Sequence, residues 1–83
     1  MDTYIEQIVK KLELVEFNII DKEAELKALT LANDVLYPIK ESQEIQDYSF
    51  AASIVGDIIS ISIFITENGF IEPVQWDLTV KQK

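Results

Sequence analysis

Two turn-forming dipeptides, Gly56-Asp57 and Asn68-Gly69, cut the second half of the chain into three β-rich runs, and the alternation within those runs leaves few folds open. Closing the first turn pairs Val55 with Ile58, Ile54 with Ile59, Ala52 with Ile61, Phe50 with Ile63 and Tyr48 with Ile65. Closing the second as a two-residue hairpin pairs Glu67 with Phe70, Ile65 with Glu72, Ile63 with Val74, Ile61 with Trp76 and Ile59 with Leu78. Strand side chains alternate with period two, so both turns place their apolar residues on the same face. The opposite face is mostly small and polar, with Ser49, Ala51, Ser53, Ser60, Ser62, Thr66, Gln75, Asp77 and Thr79, and Phe64 as its main exception. The sequence therefore predicts an antiparallel meander of strands 47–55, 58–67 and 70–81.

Such a sheet needs a cover in water, and the first half of the chain supplies one. Residues 1–37 contain neither Gly nor Pro, and Ile5, Ile8, Leu12, Val15, Ile19, Leu26, Leu29 and Leu36 recur at a helical period. One long helix would satisfy that pattern, and so would a helical hairpin broken around Glu16-Phe17-Asn18. Two N-cap residues, Asn18 and Asp21, favour the break, as does a second apolar stripe that begins only at Phe17. The expectation is two helices over 3–15 and 21–36, ended by Pro38. The fold class is α+β: one long or two amino-terminal helices on one face of a three-stranded antiparallel meander. Residues 38–46 are a connector, or a short edge strand that would make a fourth. At 83 residues the chain is expected to be a single domain spanning 1–83.

Composition limits the chemistry. The chain has no Cys, His or Arg, and 15 acids against 7 lysines give a formal charge of −8. The usual nucleophile–base pairs and zinc ligand sets cannot be assembled from what remains, and the charge opposes direct binding to nucleic acid. No catalytic, metal-binding or cofactor-binding residues are expected. No run is long and apolar enough for a membrane helix, and the reading is a soluble cytoplasmic protein.

Function must then come from surfaces. In this strand order the first and third strands are edges. The third carries Glu72, Pro73 and Asp77, which discourage pairing with another chain. The first, from Tyr48 to Val55, has neither charge nor proline. Tyr48, Ser49, Phe50, Ala51, Ser53 and Val55 thus form a candidate interaction edge, to be covered by residues 39–45 folding back, by a second copy, or by a protein partner, or else left bare by its twist. Phe64 is a candidate exposed anchor. Glu6, Glu13, Glu16, Glu23 and Glu25 form a candidate acidic surface, which in a second reading imitates nucleic-acid phosphates in the binding site of a target. A small-molecule pocket near Trp76, between helices and sheet, is a third reading.

Overall fold

The computed structural model describes residues 2–82; Met1 and Lys83, the two ends of the expected domain, lie outside the described residues. Helices α1 (Asp2–Glu13) and α2 (Lys22–Glu41) precede strands β1 (Ile45–Val55), β2 (Ile58–Glu67) and β3 (Val74–Lys81). The strands form one antiparallel sheet in the order β1-β2-β3, with the helices on one face. The helical region is a hairpin. Asp21 starts α2 as its N-cap, its carboxylate accepting the Ala24 N–H at 2.9 Å.

The centre of the sheet follows directly from the alternation in β2. Ile59, Ile61, Ile63 and Ile65 are wholly buried, flanked by half-buried Phe50, Ala52 and Ile54 on β1 and by Trp76 and Leu78 on β3. Each fully buried isoleucine of this kind stabilises the fold by about 1.5–3 kcal/mol. On α2 the buried face is built from Ala24, Ala28, Ala32, Val35 and Leu36. Three alanines at four-residue steps give the helix a shallow surface on which neighbours can approach closely. Ile8 and Leu12 of α1, Phe17 of the linker (residues 14–21), Ile45 of β1 and Val80 of β3 complete the core.

The first hairpin has the expected register, from Val55 opposite Ile58 to Tyr48 opposite Ile65. Gly56 takes φ +62° in its turn, which glycine adopts without steric cost. The second pairing is shifted by two residues from the expectation: Ile59 faces Val80, Ile61 faces Leu78, Ile63 faces Trp76 and Ile65 faces Val74. The cause lies in the turn. Gly69, third of the four turn residues, has φ +88°, and the Phe70 N–H donates to the Glu67 carbonyl at 3.1 Å. A left-handed residue at the third position alone belongs to a type II turn, whose twist splays strands instead of pairing them. Residues 68–73 become a six-residue connection, and β3 starts at Val74, not at residue 70. Glu72, expected on the apolar face opposite Ile65, is exposed in that connection. Because the shift is an even number, the apolar face survives it.

Pro38 does not end the second helix. The helix loses one N–H at that residue and continues to Glu41, which carries half-buried Ile39 onto the core. It stops in a Schellman turn: Gln43 stands at φ +65°, its N–H donates to the Lys40 carbonyl at 2.9 Å, and the Glu44 N–H donates to Ile39 at 3.1 Å. Asn68 Nδ2 donates to the Gln43 carbonyl at 2.6 Å, tying this turn to the β2–β3 connection. Residues 39–45 therefore do not fold back as a fourth strand. They are the helix end, the turn and, at Ile45, the first residue of β1.

Two stability measurements check this account. Ile61→Ala, in the middle of the buried row, is expected to lower the unfolding free energy in urea by about 2–5 kcal/mol. Pro38→Ala restores a helix N–H and is expected to raise it by about 1–2 kcal/mol. A neutral or destabilising Pro38→Ala would show that the proline is favoured where it stands.

Candidate interaction edge

With no fourth strand among the described residues, the outer edge of β1 is open along its central stretch. The two-residue turn makes Val55 and Ile58 a hydrogen-bonded pair, so the N–H and C=O of Val55, Ser53, Ala51 and Ser49 point to β2. Those of Ile54, Ala52, Phe50 and Tyr48 point away from the sheet. The Tyr48 N–H is satisfied locally, donating to the carboxylate of Asp47 at 2.9 Å. No hydrogen bond between residues engages the outward N–H groups of Phe50, Ala52 and Ile54 among the described residues.

The open stretch begins at a small polar cluster. Asp47 also meets Lys40 Nζ at 3.2 Å, and that ammonium lies 5.9 Å from the centre of the Tyr48 ring. The Tyr48 hydroxyl donates to Asn33 Oδ1 on α2, and the ring meets Phe50 edge-on, 5.6 Å between centroids. The bond from the Tyr48 N–H, reinforced by Lys40, holds the Asp47 carboxyl below the ordinary aspartate range. Burial pushes the Tyr48 phenol upward. The cluster fixes the start of β1 to the last turns of α2 and leaves an ionised carboxylate beside the edge.

The two sides of β1 differ. Tyr48, Phe50, Ala52 and Ile54 are half-buried towards the helices, whereas Ser49, Ala51, Ser53 and Val55 are exposed on the uncovered face. Phe64 sits on that uncovered face between Ser49 and Gln75 and is half-buried there. Beside it, Asp77 accepts from Ser62 Oγ at 2.9 Å and Gln75 Nε2 at 3.0 Å; these bonds, Gln75 foremost, hold its carboxyl low.

The acidic residues are dispersed. Glu6, Glu13, Glu16 and Glu23 are exposed on α1, the linker and the first turn of α2. Glu25 turns inward, 3.7 Å from Lys22, with one carboxylate oxygen buried and without a hydrogen-bond partner. Trp76 is half-buried on the helix-facing side, its indole N–H also unpartnered. A shallow cleft of about 320 Å³ opens between α1, the linker and β3, its lining including Leu12, Glu13, Val15, Phe17, Leu78 and Lys81; Trp76 does not line it.

Several exposed apolar side chains fall outside the sequence-based expectation. Phe70 and Ile71 project from the β2–β3 connection, which the expected register hid inside a strand. On α2, Leu26 and Tyr37 are 66% and 54% exposed. They share one flank with Asn33, at seven- and four-residue steps, and Asn33 contacts Tyr48, so this flank borders β1. Spacing with Asn33 was the available signal.

Comparison with protein-family models, curated proteins and solved structures finds no match to this chain. Among the described residues no group of three or more acidic, His or Cys side chains is placed to hold a metal, and no helix is long and apolar enough to cross a membrane.

The Asp47 cluster has a measurable consequence. In a carboxyl NMR titration Asp47 is expected to titrate below ordinary aspartates, and Lys40→Met should move it part of the way back. A carboxyl depressed on folding stabilises the fold fully above its unfolded pKa, and that contribution is lost as pH falls through the folded value. Identical titration in wild type and Lys40→Met would remove the lysine from the account.

Proposed function

We propose that this chain is a non-catalytic protein–protein interaction module that works by accepting an extended strand along the outer edge of β1. The observation that carries the reading is the set of outward backbone groups at Phe50, Ala52 and Ile54, on a strand with no charge from Tyr48 to Val55. Natural sheets usually block such an edge with lysine, proline or a covering element. β3, by contrast, has Asp77 within it and Pro73 just before it. Each cross-strand hydrogen bond adds about 0.5–1.5 kcal/mol net, and a short strand makes several while filling alternate side-chain positions. The residue types left by the absence of His, Cys and Arg suit recognition better than catalysis.

The reading is tested with a substitution that affects the edge alone. Ala52→Pro removes an N–H that points outward and leaves the β1–β2 ladder intact, whereas proline at Ala51 or Ser53 would remove a ladder bond. Nonapeptides selected from a random library on the wild-type chain should bind Ala52→Pro at least about tenfold more weakly, equivalent to about 1.4 kcal/mol, while the variant keeps its helical circular dichroism. Equal binding to both proteins, or a library that yields no binder, would sink strand addition.

A further inference from the structure

We infer that the strand taken up by this edge is an extended, positively charged segment of a different protein, with apolar residues at alternate positions, and not the β1 strand of a second copy. The inference rests on the strand-addition reading and narrows it to one kind of occupant.

The first argument is steric. Antiparallel pairing of two β1 strands needs a two-fold axis perpendicular to the sheet, which sets both helical layers on the same side. The paired strands would lie about 4.8 Å apart. Packed helices need about 8–10 Å between their axes. Here α2 packs on β1, the edge strand itself, and α1 packs on β3. Two copies of α2 would be driven into one another before their strands met. A single extended segment carries no helix and avoids the conflict.

The second argument concerns what that segment would touch. Side chains of an added strand alternate between the helix side and the open side. On the helix side they meet the flank of α2, where Leu26 and Tyr37 are exposed on either side of Asn33. Apolar residues at every second position would cover both. On the open side the neighbours are Ser49, Ala51 and Ser53, which tolerate polar or charged side chains.

The third argument is charge. The chain carries −8. Asp57 stands just beyond one end of the neutral stretch; Asp47 stands beyond the other, where Lys40 at 3.2 Å offsets its charge. Beside the apolar flank of α2, by helical spacing, the exposed acids Glu23, Asp34 and Glu41 outnumber the exposed lysines Lys22 and Lys40. This field draws in a cationic segment and repels another copy of the chain.

The test uses three synthetic nonapeptides, alternating Lys-Val, Glu-Val and Ser-Val, titrated into the ¹⁵N-labelled full chain, with light scattering on the same samples. The expected result is amide shifts centred on Phe50, Ala52 and Ile54 with Lys-Val, and binding at least about tenfold tighter than Glu-Val, a difference that shrinks as salt rises. Leu26→Ser should weaken Lys-Val binding without disturbing the β1–β2 amides, and the chain should remain monomeric. Equal binding of the Lys-Val and Glu-Val peptides, or a dimer abolished by Ala52→Pro, would overturn this occupant and leave strand addition standing. Absence of shifts at those amides with every peptide, together with a monomer, would overturn both.

Discussion

Burial of the β2 isoleucine row is the interaction on which the rest of the structure depends. Ile59, Ile61, Ile63 and Ile65 project from a strand hydrogen-bonded on both sides, so their backbone groups are satisfied while their side chains are wholly removed from water. This row sets the face on which both helices must lie, and therefore which face of the sheet stays open. It also fixes the register of β1, because a one-residue slip would turn Phe50 and Ile54 to the uncovered side. The direction of the free backbone groups along β1 follows from that register.

The two edge strands differ in what surrounds them. β3 is reached through a six-residue connection that ends in proline, and it carries an aspartate hydrogen-bonded to its neighbours. β1 leaves the helical layer through a tight turn and runs for eleven residues, charged only near its start. α2 accompanies it in the opposite direction and presents an apolar flank beside it. A backbone edge supplies affinity with little discrimination, and an adjacent side-chain surface supplies discrimination. Their juxtaposition beside β1 is the feature that most distinguishes this surface from the others on the molecule.

Much of the fold is legible in the residues because several local signals agree. Gly56-Asp57 has turn chemistry that matches the twist of its strands, and there the pairing can be read residue by residue. Asn68-Gly69 looks equivalent in sequence, yet its left-handed residue sits at the third turn position alone, and composition does not reveal that difference. Period-two alternation protected the assignment of faces even so. Pro38 misleads for a related reason: a proline's local cost, about 3 kcal/mol in a helix interior, is offset where the next turn brings Ile39 to the core. The edge itself is legible from the missing charges between Tyr48 and Val55. The α2 flank is not, since Leu26 reads as one more member of the buried stripe until the hairpin shows which way the helix is turned.

Asp47 gives the open edge a fixed origin. Its carboxylate already occupies the first outward N–H, at Tyr48, and is itself anchored by Lys40. A strand sliding past that point would have to displace an ionised group from two partners, so sliding in that direction is costly. At the other end the chain turns away at Gly56. Under the strand-addition proposal, the edge is a slot with a stop at each end, which would set the length and phase of a bound segment before any of its side chains is inspected.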